Sequence, residues 1–283
     1  MKDLIDKAEV LIEALPYIRR FYDKTVVIKY GGHAQTEESL RASFAQDVVL
    51  LKYVGLRPVV VHGGGPQIGE ILARLGKKSS FVSGLRVSDD ATLDHVEMER
   101  GGKVNHEIVA LVQRAGGRAV GLTGSDGDMI RVTRRLVDGQ DVGRVGRITV
   151  GNPAPIAAVA AAGFVPVIAP LGVDEKGVTH NVNADEAAGA IARALSAEKL
   201  ILLTDVEGVK DASGRLIHSL SVAESRKLIA EGTIRDGMIP KVECCIDALE
   251  NGVGRTHVVD GRMLHAVLLE MFTDGGVGTL ITP

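Results

Sequence analysis

Short unbroken runs of aliphatic residues recur along this chain, and helical spacing follows each of them. The runs are Thr25–Tyr30, Pro58–Val61, Arg118–Leu122, Val165–Ala169, Leu200–Thr204 and Thr256–Val259. A run that is apolar on both faces suits a strand buried on both sides of a parallel sheet. Helical patterns occupy Glu37–Val54, Pro66–Leu75, Asp89–Gln113, Pro155–Ala162, Ala184–Leu195, Val222–Glu231, Pro240–Asn251 and Leu264–Met271. Alternation of this kind predicts an α/β fold: a three-layer αβα sandwich with a mostly parallel central sheet. Two stretches break the rhythm. Ser79–Val87 reads as a small hairpin, and Asp128–Val150, with Asp138-Gly139 as a turn, as a second β insertion. Insertions beside strand ends usually shape a pocket or lid. A soft boundary near 174–177 divides an N-terminal lobe (23–175) from a C-terminal lobe (176–283), with one sheet expected to serve both.

The balance of charge narrows the partners. With 283 residues, a formal net charge of −3 and 3% aromatics, the chain has neither a basic footprint nor a stacking platform for nucleic acid. Cys244 and Cys245 are adjacent, a spacing that neither bridges distant segments nor matches a C-x-x-C site, so a reduced, cytoplasmic setting is expected. The uncharged stretch Ile148–Val173 is broken by Gly151, Pro153, Pro155, Gly163, Pro166 and Pro170, which argues for a short helix and a strand rather than a membrane span. Small molecules and other copies of the chain remain as partners.

Residues 1–22 give a separate signal. Leu4, Ile5, Ala8, Leu11, Ile12 and Leu15 share one helical face, and Lys2, Asp3, Asp6, Lys7, Glu9 and Glu13 mostly oppose it. Pro16 is expected to kink or end this helix before a second amphipathic piece, Tyr17–Tyr22. The segment is either a helix packed on its own body or an oligomerisation arm.

Glycine clusters follow two strands: Lys29-Tyr-Gly31-Gly32 and His62-Gly63-Gly64-Gly65-Pro66. Bare backbone ahead of a proline-initiated helix admits an anion to the helix's positive end, although a tight turn alone would also use glycine. Neither G-x-x-x-x-G-K-[ST] nor G-x-G-x-x-G is present, so a phosphate-handling site here must use another arrangement. Lys29 reads as a snorkelling strand-end lysine or an anion ligand. Lys241 opens a helix behind Pro240, against the macrodipole, a conflict that an arriving anion would relieve. Asn181-Val-Asn183-Ala-Asp185 holds more polar groups than one helix cap needs. Arg86 offers a bidentate fork suited to a carboxylate.

Taken together, Lys29-Tyr-Gly-Gly, Val61-His-Gly-Gly-Gly-Pro66, Gly84-Leu-Arg-Val, Asn181-Val-Asn-Ala-Asp185, Leu203-Thr-Asp205-Val-Glu-Gly208 and Gly237-Met-Ile-Pro-Lys241 resemble, in content and order, the amino-acid kinase family. The resemblance covers about Leu11 to Thr282. It is nearest to the branch that phosphorylates the side-chain carboxylate of N-acetyl-L-glutamate in arginine biosynthesis. By position it implies Lys29, Lys241 and Asp185 as the catalytic set. It implies Gly64, Gly65, Arg86 and Asn181 for the acyl substrate, and Gly31, Gly32, Thr204, Asp205, Gly208, Gly237 and Met238 for ATP. Mg2+ would ride on the nucleotide phosphates, so no residue is assigned as a metal ligand.

The N-terminal segment resembles that of the family's arginine-inhibited, hexameric branch. The run His265–Thr279 resembles its inhibitor loop, which implies Lys199, Glu270 and Gly276 for L-arginine; otherwise Glu270 is a solvated helix-end carboxylate. Two stretches depart from the family: Ala34-Gln35, and Glu99-Arg100-Gly101-Gly102 where a more apolar helix is usual. Neither is expected to touch a catalytic position. Kinases of carrier-bound aminoadipate or of free glutamate, and a non-catalytic arginine-binding module, are the competing readings.

Overall fold

The computed structural model describes residues 2–77, 79–82, 85–137, 139–273 and 275–283, apart from the side chains of residues 2, 3 and 7. Gly84, Asp138 and Asp274, which belong to the hairpins and the loop expected from sequence, lie outside the described residues. In the first half the strands are β1 (Thr25–Tyr30), β2 (Arg57–His62), β3 (Phe81–Val82), β4 (Leu85–Arg86), β5 (Ala119–Thr123), β6 (Ile130–Val137) and β7 (Gln140–Gly151). The second half adds β8 (Val165–Ala169), β9 (Leu171–Val173), β10 (Thr179–Asn181), β11 (Lys199–Thr204), β12 (Ser219–Ser221), β13 (Arg255–Asp260) and β14 (Thr279–Thr282). The α-helices begin with α1 (Lys2–Phe21), α2 (Glu38–Tyr53), α3 (Gly65–Arg74), α4 (Asp90–Glu97) and α5 (Asn105–Arg114). They continue with α6 (Ala154–Ala161), α7 (Ala184–Ala194), α8 (Val222–Ala230), α9 (Ile239–Glu250) and α10 (Ala266–Phe272).

The central sheet runs in the order β12-β14-β13-β11-β1-β2-β8-β5. Its neighbours are parallel except β13 and β14. Alternation along each strand splits the core into two layers. Val27, Val59, Val61, Leu200 and Leu202 face Ala187, Ala188 and Ile191 of α7 and Val242 and Cys245 of α9. Val26, Ile28, Val60, Ile201 and Leu203 face the opposite layer, where Phe44, Val48, Ile108, Val112, Val267 and Met271 line α2, α5 and α10. The sandwich expected from sequence is the one observed. Apart from it, β6, β7, β9 and β10 close into a small barrel.

Two local features differ from expectation. α1 runs through Pro16 to Phe21 without ending. A proline removes one ladder hydrogen bond, and here Tyr17 and Phe21 beyond it pack on the body. The helix expected over Asp89–Gln113 is interrupted by a π-helical segment, Met98–Val104. Gly101 and Gly102 weaken the regular ladder there. The wider turn changes which positions face inward, and both Glu99 and Arg100 are buried.

Candidate active site

Because β11, β1 and β2 are parallel neighbours, their C-terminal ends open on one rim, with Lys29 opposite Leu202 and Val61, and Tyr30 opposite His62. Two helices of the adjoining layer aim charge at that rim. Asn183 caps α7, its side-chain oxygen accepting from the backbone N–H groups of Asp185 (2.8 Å) and Glu186 (3.2 Å). This leaves the Asp185 carboxylate in the first turn, free to face outward along the strands. Lys241 occupies the first turn of α9, just after Pro240.

The three side chains meet. Lys241 Nζ donates to Asp185 Oδ2 at 2.6 Å, and Lys29 Nζ stands 3.0 Å from Oδ1 in an ion pair whose angles fall short of a hydrogen bond. Burial pushes the Asp185 carboxyl up, but the two lysines outweigh it and hold the group at about 2. Two ammoniums against one carboxylate leave one positive charge in excess, at a rim edged with glycine.

That edge is built for close approach. Gly32 has φ of 69°, and a Cβ there would lie 2.4 Å from Asp205 Oδ1. Asp205 in turn accepts from the His33 backbone N–H at 2.8 Å. Gly31 adjoins the Lys29 ammonium, while Gly65 opens α3 behind Gly64, which has φ of 155°. Asn105 Nδ2 donates to His62 Nε2 at 3.1 Å and to Val167 O at 3.0 Å, so the His62 Nδ1 proton is directed to Gly63 O at 2.7 Å. Burial brings His62 down to about 4, so the ring is neutral near pH 7 and acts as a fixed strut under the glycine loop.

Beside the rim lies a cavity of about 710 Å3, bordered by Asp205–Asp211 on one side and Thr233–Arg235, Met238 and Arg262 on the other. Of the residues expected to serve the nucleotide, Asp205, Gly208 and Met238 line it. Thr204 is buried at the end of β11, and Gly237 sits in the 3-10 turn that precedes α9; neither borders the cavity. Among the described residues no group of three or more His, Cys, Asp or Glu side chains is arranged to hold a metal ion.

On the other side of the glycine loop, Arg86 Nη2 donates to Gly65 O at 3.1 Å while the guanidinium stacks on Phe81, 4.7 Å from the ring centroid. Asn181, at the end of β10, is buried and its Oδ1 accepts from Arg100 Nη1 at 2.6 Å. Arg100 thus lies beside residues expected to bind substrate, while its hydrogen bonds reach none of the expected catalytic set Lys29, Lys241 and Asp185. The π-helical segment brings it against two expected substrate residues, since a Cβ on Gly64 would lie 3.3 Å from Arg100 Cγ.

A model of the amino acid kinase family matches residues 24–260. The chain belongs to the amino acid kinase family. Acetylglutamate kinases of Syntrophobacter fumaroxidans and Syntrophus aciditrophicus are 56% and 54% identical to it. The matches cover 98% and 97% of this chain and 97% and 96% of those proteins. Among solved structures, an N-acetylglutamate synthase from Neisseria gonorrhoeae, complexed with coenzyme A and N-acetyl-glutamate, superposes with a TM-score of 0.88 at 28% identity. That match takes in 98% of this chain and 63% of the synthase. A Giardia carbamate kinase (TM-score 0.68, 17% identity, 92% of this chain and 99% of that one) shares the fold. The chain is therefore an amino-acid kinase.

At the opposite, N-terminal ends of β11 and β13 this kinase has a second cavity, of about 230 Å3. Lys199, Glu270 and Gly276 line it together, joined by Tyr17 and Phe21 of α1 and by His257. Glu270 is buried rather than solvated. Its Oε1 pairs with His257 Nδ1 at 2.6 Å and its Oε2 accepts from the Val277 N–H at 2.9 Å. Burial pushes the Glu270 carboxyl up, but His257 and these partners outweigh it and hold it below its usual range. Lys199 rests 4.6 Å from the Phe21 ring centroid, and its burial brings the ammonium down to about 8. Sequence reasoning missed His257, which lies in an ordinary aliphatic strand with no motif around it. No helix of the described residues is long and apolar enough to cross a membrane.

Proposed function

We propose that this chain transfers the γ-phosphoryl group of ATP to the side-chain carboxylate of N-acetyl-L-glutamate, giving N-acetyl-L-glutamyl 5-phosphate for arginine biosynthesis. The observation that carries this reading is the Lys29–Asp185–Lys241 cluster, one lysine on each carboxylate oxygen. It stands between the large cavity and the Gly63–Gly65 loop. Phosphoryl transfer asks for positioning and positive charge around a loose transition state. Lys29 meets the transferring group from the acyl side and Lys241 from the nucleotide side, and Asp185 keeps both ammoniums charged and in place. The Gly64 and Gly65 amides approach the phosphoryl oxygens, while Arg86 and Asn181 bind the non-reacting end of the substrate. A carboxylate acceptor with an ordinary pKa of about 4.3 is already ionised, so no side chain has to remove a proton.

ATP occupies the 710 Å3 cavity in this reading, with Asp205, Gly208 and Met238 on its walls. Mg2+ carried on the nucleotide neutralises phosphate charge. Residues 23–175 then serve the acyl substrate and residues 176–283 the nucleotide. Buried, free Cys244 and Cys245 suit a reducing cytoplasm.

L-arginine fits the second cavity as a feedback inhibitor. Glu270 supplies an anion for its guanidinium, and Lys199 and Gly276 line the same wall. The cavity also touches α1, whose Leu4, Ile5, Leu11, Ile12 and Leu15 are exposed in the single chain. We take that stripe as the contact by which chains interlace into a hexamer. The test is turnover of N-acetyl-L-glutamate with Mg-ATP, with and without L-arginine. Acyl phosphate trapped as a hydroxamate is expected, and its formation should fall as arginine rises. No acyl phosphate would end the kinase reading, and turnover indifferent to arginine would end the feedback reading.

A further inference from the structure

Arg100 is a buried cation on the acyl side of the rim with no carboxylate partner among the described residues. It is 9% exposed. Its Nη1 donates to Asn181 Oδ1 at 2.6 Å and to Val182 O at 3.1 Å, but its Nε is buried with no acceptor among the described residues. Among the described residues no acidic side chain pairs with it. Glu99, one residue earlier, is taken by Lys103 at 3.3 Å, and Asp185 is taken by the two lysines. Arg86 also lacks a carboxylate partner among the described residues; its donors go to Gly65 O and Ser79. Burial and the charge of Arg86 bring Arg100 down to about 10, so it remains a cation at neutral pH. His62, the other titratable group facing it, is neutral. Buried cations left without counter-ions are costly unless an anion completes them.

We propose that Arg100 is a second substrate arginine, closing with Arg86 on the non-reacting α-carboxylate of the acyl amino acid. This rests on the reading of the rim as an N-acetyl-L-glutamate site. Three features select that carboxylate over the reacting one. Arg100 and Arg86 reach the same glycine loop, Arg100 against Gly64 and Arg86 on Gly65. Arg100 occupies the oxygen of Asn181, which turns the Asn181 amide so that its Nδ2 donors are presented to an anion; among the described residues they reach only Ser88 Oγ, at 3.5 Å. A guanidinium on the reacting carboxylate would instead draw charge from the attacking oxygen. Specificity follows: the site demands a negative charge at the α-position, and an uncharged α-group strands the buried Arg100 beside the half-buried Arg86.

The experiment compares N-acetyl-L-glutamate with its α-amide, which keeps the reacting side chain, in the wild type and in the Arg100→Leu, Arg100→Gln and Arg100→Lys variants. Each protein is first checked for cooperative thermal unfolding. The wild type is expected to prefer the acid. R100L and R100Q should shrink that preference about tenfold or more, the size of one charge-assisted hydrogen bond, through KM while kcat moves less than about threefold. R100K, which keeps the charge, should retain most of the preference. Equal losses for acid and amide, or no change, would reduce Arg100 to a prop for Asn181 and overturn the proposal. A wild type that phosphorylates neither compound refutes the kinase reading instead. If no variant folds, a wild-type crystal structure with N-acetyl-L-glutamate decides: an α-carboxylate beyond hydrogen-bond reach of the Arg100 guanidinium rules the proposal out.

Discussion

The Cys244 thiol donates to the backbone carbonyl of Asp185 at 3.1 Å, tying the helix that bears Lys241 to the helix that bears its carboxylate partner. The two helices touch this closely because α7 is small-sided, with Ala184, Ala187, Ala188, Gly189, Ala190 and Ala192 all buried. A Cβ on Gly189 would lie 2.8 Å from Cys244 Sγ. The distance between Asp185 and Lys241 is thus set by packing one turn further along each helix.

Gly189→Ala should therefore lower both stability and kcat, although alanine is the better helix former. Overpacking is expected to cost about 1–2 kcal/mol net of that propensity gain. Cys244→Ala removes the opposing sulfur, so the double variant should recover most of the loss. Thermal melts and steady-state rates on the four proteins check this; additive losses in the double variant would show that the contact does not set the spacing.

Replacing Asp185 by Asn removes the carboxylate that both rim lysines share. The buried Lys29 and the half-buried Lys241 ammoniums then repel, and a kcat decrease of roughly 100-fold or more is expected, the range seen when preorganised charge is lost. The same carboxylate gives an acid limb to stability. Its folded pKa of about 2 lies below the ordinary 3.8, so its stabilisation is full above pH 4 and is lost as pH falls toward 2. The shift corresponds to about 2 kcal/mol. Urea titrations between pH 6 and 2 should show this limb in the wild type and its absence in D185N.

Much of this site is legible in the chain because strand ends and helix starts leave local marks. The limits of β1 and β8 match the apolar runs Thr25–Tyr30 and Val165–Ala169, and Pro240 announces the start of the helix carrying Lys241. What escapes is non-local. β14 inserts between β12 and β13, parallel to the first and antiparallel to the second, a pairing set by strands about sixty and about twenty residues earlier, which no short window contains. The small barrel joins β6 and β7 to β9 and β10 across α6 and β8. Arg100 escapes for a different reason. Its buried position lies in a π-helical turn, and a regular helical pattern over Asp89–Gln113 carries no sign of that turn.

Glu270 offers a direct test of the proposed arginine feedback. Its carboxylate is held ionised by His257 and the Val277 N–H, so it presents negative charge to the second cavity. Glu270→Gln keeps the volume and removes that charge. The arginine concentration that halves activity is expected to rise at least tenfold, as for losing a charge-assisted contact. An unchanged inhibition curve would place arginine elsewhere.

The exposed stripe on α1 sets the last expectation. Leu11 is 70% and Ile12 67% exposed, adjacent on the face expected to be apolar, while Tyr17 and Phe21 of the same helix are packed on the body. The helix is therefore anchored at one end and uncovered along the other. Burying a side chain of this size contributes about 1.5–3 kcal/mol, so several copies meeting across an interface supply enough to hold chains together. Leu11→Asp with Ile12→Asp puts two charges into that contact while touching no residue of the rim. Sedimentation should show a hexamer for the wild type and a smaller assembly for the variant. Because Phe21 also lines the second cavity, the variant is expected to respond more weakly to arginine as well if arginine binds there as proposed. A variant of unchanged mass would remove the interlaced arm from the assembly and leave α1 as a helix that serves only its own chain.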